Sequence, residues 1–338
     1  MKTDEIYAII KDEIKNKKYK IGDKLPGEYE LMSIYDVTRS TIREVLAGLT
    51  KEGIIEKIAG KGSFVTRVPS LGTIAVCARY GNLTASANWF STLIRAVNDY
   101  AEALGYEVML MVAYGETIDK LTKSVHSYFN KTFSKEIIAL VNTMGFELSD
   151  IEVPVVNVNG FLPLGDNSVY LDYEEIVDRS KSLFSAFGYK EPHILYISDS
   201  ADKTGEKNHN YMEYLVSRFT DKKENVLKLH KVEEAYDVFD KWYKSESGEK
   251  SLFVFDDGIM DYILRYFYER CLKIPKDLAL VTHANKHKKF NFGTEFYRFG
   301  FDYEEVAKVI IDTLGRAIKG EDVGHTKISP VFMPGKSL

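Results

Sequence analysis

Apolar positions in the first 68 residues change period partway along. Ile6, Ile9, Ile10 and Ile14 recur at helical spacing within residues 4–18, which predicts a first helix with one apolar and one charged face. A second helix is predicted over 28–35, with Leu31 and Ile34 as its apolar side and Pro26 just ahead of it, where a missing N–H costs little. Asp36 and Val37 make a turn, and Thr38 is placed to cap a third helix. In that helix Ile42, Val45, Leu46 and Leu49 face inward, while Arg39, Ser40, Thr41 and Arg43 point outward. After Gly53 the period shortens to that of strands, over 54–58 and 63–67, and Gly60 and Gly62 permit the positive φ of a tight hairpin carrying Lys61 at its tip.

Beyond residue 72 strand and helix patterns alternate. Strands are predicted over 73–78, 107–112, 137–142, 153–159, 193–198, 226–230, 251–255 and 279–283. Helices are predicted over 90–104, 121–130, 173–187, 208–219, 235–245, 259–270 and 302–319. This βαβ alternation predicts parallel sheets covered on both faces. Pro69, Ser70 and Gly72 mark 69–72 as a linker, so the expected division is 1–68, linker, 73–338.

The length of 338 residues exceeds a typical domain of ~100–200 residues and fits two or three compact units. The composition, 45% hydrophobic and 28% charged, is that of an ordinary globular chain. No apolar run of ~18 residues is present and the first 19 residues are charged, so the expectation is a cytoplasmic protein with no membrane partner. Cys77 and Cys271 lack metal or disulfide spacing and are expected to be buried thiols, so no metal and no cofactor is predicted. Residues 1–68 hold 13 Lys and Arg against 11 Asp and Glu, leaving this part at +2 and the remainder at −7 in a chain of net −5. The sign suits a phosphate-facing N-terminus.

The order Gly22…Leu25-Pro26-Gly27-Glu28-Tyr29…Leu31, Val37-Thr38-Arg39-Ser40-Thr41-Ile42-Arg43, Glu52-Gly53-Ile54, then Gly60-Lys61-Gly62-Ser63-Phe64-Val65 resembles the winged helix-turn-helix of the gluconate-repressor (GntR) family. The resemblance implies duplex DNA as a partner. Thr38, Arg39, Ser40, Thr41 and Arg43 would lie on the recognition side, with Gly60 and Lys61 in the wing. Arg39 is the expected base reader, since a guanidinium can donate twice to guanine, worth roughly 1–3 kcal/mol of discrimination. Gly27 stands where the family has Ser, and Tyr29 where it has a DNA-contacting Arg, so a different operator preference is expected. Winged helices also serve as protein-interaction modules, in which these charges would be solvated surface.

Ser168-Val-Tyr-Leu-Asp172 with Phe187-Gly188-Tyr189, Phe253-Val-Phe-Asp-Asp257, and Ile274-Pro-Lys-Asp-Leu-Ala-Leu-Val281 together resemble blocks of the LacI/GalR effector domain over about 73–338. The combination is similar to arabinose-repressor-type regulators. It implies an α/β fold with an N-terminal winged helix-turn-helix and a two-lobed, periplasmic-binding-protein-like domain of parallel sheets, holding a small polar effector in the cleft. The loop after the first strand, Tyr80 to Phe90 with Asn88 and Trp89, would reach that ligand. The positions matching the family's polar contacts are Asn159, Lys207, Asp256 with Asp257, and Ala284 flanked by His283 and Asn285. They depart from the family pattern, so an altered ligand is expected. Trp89 and Phe90 could instead anchor their helix in the core, and Asp257 could simply cap the next one.

A bacterial regulator, expected to be a repressor, would bind a pseudo-palindromic operator as a homodimer and respond to a monosaccharide or sugar derivative. The alternatives are an α/β enzyme on a small metabolite or a DNA-binding protein without an effector. No nucleophile elbow, Walker loop, Rossmann glycine fingerprint or metal-spaced His cluster supports the enzyme. His283, His287 and the run of Lys286, Lys288 and Lys289 read as a solvated loop.

Overall fold

Three helices and a two-stranded hairpin form the N-terminal part of the computed structural model, which describes residues 3–80, 89–129, 137–148, 150–160, 162–198 and 206–338, the side chains of 206–210 excepted. Helix α1 (Thr3–Lys15) buries Ile6, Ile10 and Ile14, with Asp4 and Glu5 at its start and Lys15 at its end, matching the helix dipole. Ile9 stays at the margin, 37% exposed. Helix α2 (Glu28–Tyr35) buries Leu31, but the expected partner Ile34 is 60% exposed. Met32 and Tyr35 pack on the core instead. Leu31, Met32 and Tyr35 share one helix face, and Ile34 lies roughly 100° round from its centre.

Asp36, at φ +50°, ends α2, and its amide returns to the Met32 carbonyl. Helix α3 (Arg39–Lys51) starts on Thr38, whose hydroxyl accepts from the Thr41 amide at 3.4 Å, and buries Ile42, Val45, Leu46 and Leu49. Strands β1 (Ile55–Ile58) and β2 (Gly62–Val65) pair antiparallel, from Ile55 opposite Val65 to Ile58 opposite Gly62. Gly60 and Gly62 sit at φ +74° and +117°, where a side chain would be strained. Met1–Thr73 form one compact unit with Ala101–Val108, to which Leu71 and Gly72 are joined by backbone hydrogen bonds at Gly105 and Glu107.

The second unit, Ile74–Tyr100 with Met109–Leu338, is built on two six-stranded sheets. The first lobe's sheet runs β13 (His325–Ile328), β7 (Ser168–Leu171), β6 (Val155–Asn159), β5 (Ile137–Asn142), β3 (Thr73–Arg79), β4 (Glu107–Ala113). The second runs β14 (Val331–Met333), β12 (Tyr297–Gly300), β11 (Ala279–His283), β10 (Ser251–Val254), β8 (His193–Ile197), β9 (Val226–Leu229). Strands β8 to β12 pair in parallel, and only the short β14 is antiparallel. All four residues of β10 are buried, as a strand covered on both faces requires. Helices α4 (Trp89–Leu104), α5 (Ile118–Phe129), α6 (Tyr173–Ala186), α7 (Glu206–Phe219), α8 (Ala235–Ser245), α9 (Asp257–Glu269) and α10 (Tyr303–Ile318) alternate with the strands.

Three segments cross between the lobes. Strand β7 belongs to the first sheet while α6, next in sequence, packs on β12 of the second. Strand β12 leads back to α10, which packs on β5 and β6. Strands β13 and β14, separated by Ser329 and Pro330, lie in different sheets. Strands β12 to β14 were not foreseen from sequence. Each has three or four residues, and β13 and β14 are largely exposed, so no buried apolar run announces them. Cys77 is buried as expected, but Cys271 is exposed, because it sits at φ +53° in the turn that ends α9. Among the described residues no helix is long and apolar enough to cross a membrane.

Candidate nucleic-acid interface and effector cleft

Glu28, at the start of α2, organises the outward face of α3. Its carboxylate accepts from Arg39 Nε at 2.8 Å, Arg43 Nε at 3.1 Å and Lys57 Nζ at 3.0 Å. The Arg39 hydrogen bond, then that of Lys57, holds the carboxyl down at about 2. Tyr29, 69% exposed, lies under the Arg39 guanidinium at 5.0 Å, a cation–π contact with the residue that departs from the resemblance. The Thr38 hydroxyl lies 2.8 Å from that of Ser40 and 3.0 Å from that of Thr41, tying the α3 entrance together. Gly60 and Lys61 form the hairpin tip, where the Lys61 amide donates to Ile58 O at 3.0 Å. A Cβ at Gly62 would meet Lys24 Cε at 2.6 Å, so wing and α2 entrance are closely fitted. One surface therefore carries two guanidiniums and a lysine, held by a single carboxylate.

In the first lobe, Tyr80, just past β3, stacks on Tyr114, just past β4, at 5.1 Å and 28°. Asn88 lies outside the described residues. Trp89 is 38% exposed and meets Phe90 edge to face at 5.4 Å. Phe90 is 1% exposed, so its ring is core material and offers no open surface, a correction to its expected place against ligand. Asn159, ending β6, donates to Leu162 O at 2.9 Å and braces the following loop. Lys207 falls in α7, its side chain outside the described residues.

The second lobe brings its candidates together at the carboxyl ends of adjacent parallel strands, the usual ligand end of such sheets. The α9 cap is Asp256, not Asp257: Asp256 Oδ1 accepts from Gly258 N at 2.7 Å and Ile259 N at 3.3 Å. That leaves Asp257, the first helical residue, for other work. Burial, then the adjacent Asp256 charge, pushes the Asp257 carboxyl up to about 6, and burial also raises that of Asp256. His283 ends β11, is 7% exposed, and is pushed down to about 4 by burial, so it is neutral at ordinary pH. The Tyr173 ring lies within 6 Å of the rings of Phe255, His283 and Phe301, at 5.9, 5.2 and 5.2 Å. Asn285 Oδ1 accepts from the Phe301 amide at 3.0 Å, while Ala284 is fully buried.

Tyr173, Tyr303, Phe301, Arg298 and Ser198 were missed from sequence. One signal could have found the two tyrosines. Asp-Tyr-Glu-Glu occurs at 172–175 and again at 302–305. Both copies open a helix at an interlobe crossing, and in both the Asp is the cap: Asp172 accepts from Glu175 N at 3.0 Å, Asp302 from Glu304 N at 3.2 Å. The tyrosine that follows each cap is thereby aimed at the same place. Burial raises both hydroxyls, and the charges of Asp256 and Asp257 act on both.

The expected solvated loop is corrected: His283 is buried at the end of β11, and the lysines are tied down, Lys286 by Asp302 and Lys288 by Asp261. Among the described residues, His287, Asp302 and Glu304 bring metal-ligand atoms within 4.8 Å of one another. Lys286 already occupies Asp302, and the positive end of α10 opposes a cation, so this group reads as hinge ion pairing.

Residues 2–65 match the family described as bacterial regulatory proteins, gntR family. Over 60 residues the chain is 42% identical to the HTH-type transcriptional regulator TreR of Bacillus subtilis (strain 168), covering 18% of this chain and 25% of that protein. Over 170 residues it is 26% identical to the arabinose metabolism transcriptional repressor of Geobacillus stearothermophilus, covering 46% of this chain and 45% of the relative. The chain thus spans less than half the length of either relative. Among solved structures, a dimeric Lac repressor with an 11-residue C-terminal deletion superimposes with a TM-score of 0.62 at 13% identity, over 78% of this chain and 98% of that one. The chain carries a gntR-family domain over residues 2–65, followed by an α/β body with the fold of the Lac repressor.

Proposed function

We propose that this protein is a cytoplasmic transcriptional repressor that binds a pseudo-palindromic operator as a homodimer and is released by a small polar effector held between its lobes. The observation that carries the reading is the cationic face of α3, with Arg39 and Arg43 held by Glu28 beside the glycine-tipped wing, inside a segment that matches a family of regulatory proteins. The division proposed with it is a DNA-binding domain over 1–68, a linker over 69–72 and an effector domain over 73–338.

Base-edge contacts belong to Arg39 and phosphate contacts to Arg43, Thr38, Ser40, Thr41 and Lys61, with Gly60 letting the wing approach the backbone. Tyr29 supports Arg39 from beneath. The effector contacts belong to Tyr80, Trp89, Asn159, Asp257 and His283, with Lys207 and Asn88 as further candidates and Asp256 fixing the α9 terminus. A sugar-type ligand is supported by the likeness to an arabinose metabolism repressor and by aromatic rings beside polar groups. Control follows by linkage: a ligand that prefers one lobe arrangement shifts operator occupancy by its differential affinity, and about 1–3 kcal/mol gives ~5–150-fold control.

The test is operator release. Purified protein is screened by thermal shift against monosaccharides, since ligands of the native state raise its apparent stability. Compounds that shift it are then added to the protein–operator complex. Release by a compound recovered unchanged supports the repressor. Turnover of that compound would establish the enzyme instead, and operator affinity insensitive to every compound would leave a DNA-binding protein without an effector.

A further inference from the structure

A second binding surface lies at the far end of the second lobe's sheet from the effector candidates. Asp257 and His283 stand at the carboxyl ends of β10 and β11, whereas His193 opens β8 and Val226 opens β9. The five residues of β8 alone separate the two ends by roughly 13 Å, at ~3.3 Å per residue. At this amino end a cavity of about 420 Å³ lies between β9, the edge strand of the sheet, and the second half of α8, and its whole lining belongs to the described residues.

Trp242 lines this cavity and is 6% exposed, and its indole Nε1 is a buried donor with no hydrogen-bond partner among the described residues. Leaving such a donor unmet costs ~1–3 kcal/mol, so the site calls for an acceptor. The His193 ring lies 5.1 Å from that of Trp242, and its Nε2 lies 3.6 Å from Glu246 Oε2. Burial lowers this histidine below its ordinary value, against the pull of Glu246 and Glu224, so it is uncharged at neutral pH and neutralises neither carboxylate. Lys228 is paired with Glu213 at 2.8 Å, outside the cavity lining. Lys241, one helical turn before Ser245, adds a second ammonium to the rim.

Two carboxylates beside a neutral imidazole favour a positive charge. A metal ion does not suit them, because among the described residues three ligating atoms come within 4.8 Å of one another only at His287, Asp302 and Glu304. An ammonium group, with three donors spread around one nitrogen, reaches acceptors set farther apart. The indole N–H cannot serve an ammonium and needs an acceptor, which a carboxylate drawn by Lys241 supplies. Val226, Leu227 and Val238 add an apolar wall for a hydrocarbon side chain.

We infer that this cavity is a second ligand site, for a free amino acid with an apolar side chain, whose ammonium is held by Glu246 and Glu224 and whose carboxylate is held by Trp242 Nε1 and Lys241. The inference goes beyond the operator and effector reading and does not depend on it.

The test is titration of the full chain, without DNA, followed by calorimetry and by thermal shift. The probes are leucine, isoleucine and valine, with two analogues of leucine: leucic acid, which has a hydroxyl in place of the ammonium, and isoamylamine, which lacks the carboxylate. Leucine should bind saturably, with each analogue weaker by at least about tenfold, since each leaves one set of partners unmet. Glu246→Gln, at the end of α8, should weaken leucine by about fivefold or more, and Trp242→Phe, which keeps a ring and removes the N–H, by roughly 3–10-fold. Glu246→Gln decides alone should Trp242→Phe fail to fold. Leucine binding that survives these substitutions unchanged lies elsewhere and overturns the site. An analogue as tight as leucine overturns the ligand class, and silence from all three amino acids at millimolar concentration overturns the inference whole. None of these outcomes bears on operator release, which is measured separately.

Discussion

Arg39 Nε and Glu28 Oε2 lie 2.8 Å apart, an ion pair that joins the first turn of α3 to the first turn of α2. The guanidinium is held over Tyr29 from one side and by Glu28 from another, so its direction is set within the protein itself. Preorganisation of this kind reduces the ordering cost of a base contact. Arg39→Ala should therefore lower the ratio of operator to random-sequence affinity by ~1–3 kcal/mol, with stability changed by less than about 0.5 kcal/mol because the side chain is half exposed. Competition binding against both DNAs measures it. An unchanged ratio would remove Arg39 from base reading.

Glu28 also predicts an acid response of the N-terminal unit. Its carboxyl is held at about 2 instead of 4.5, so the folded state binds its proton less readily than the unfolded chain does. A depressed acid contributes stability that is present above its unfolded value and lost as the pH falls through the window from about 4.5 to about 2. Glu28→Gln should lower the melting temperature at neutral pH, and the gap to wild type should close across that window. The three cations are each about half exposed, so added salt should shrink the gap. A gap independent of pH would mean that the ion pairs contribute nothing.

Asp257 carries the opposite sign. Burial and the neighbouring Asp256 raise it to about 6, so the folded state binds its proton more readily than the unfolded chain. Stability from a raised group is full below the unfolded value of 3.8 and is lost as the pH rises through about 6. In ligand-free protein, Asp257→Asn should melt higher than wild type at pH 7.5 and close to it at pH 4. Melting curves at the two pH values decide this, and a variant less stable at pH 7.5 would show that the carboxylate has a stabilising partner.

Trp89 and Phe90 are neighbours with opposite roles. Trp89 is 38% exposed, and Trp89→Ala should weaken the effector response with operator affinity retained. Phe90 is 1% exposed, and Phe90→Ala should cost ~3–5 kcal/mol of stability through the cavity it leaves. Denaturant unfolding and effector titration of the two variants separate these outcomes. An unchanged response curve for Trp89→Ala would place its indole outside the ligand path.

The sequence by itself determined the local elements and the cationic outward side of the third helix. Helical spacing of Ile6, Ile10 and Ile14, the Thr38 cap and the glycines of the wing act within a few residues of one another, so their consequences are legible without the fold. The alternation of buried strands and amphipathic helices likewise fixed the α/β body, because solvent exposure imposes its period on each segment separately. What tertiary structure decided lies at contacts between distant segments. The short strands β12, β13 and β14 earn their place only by pairing along sheets assembled from elsewhere in the chain. The rotation of Ile34 out of the core, the division of labour between Asp256 and Asp257, and the meeting of Tyr173 with His283 across 110 residues are set by packing geometry. The repeated Asp-Tyr-Glu-Glu was present in the sequence, but its meaning depends on both copies standing at crossings between the same two lobes, which only the folded chain brings about.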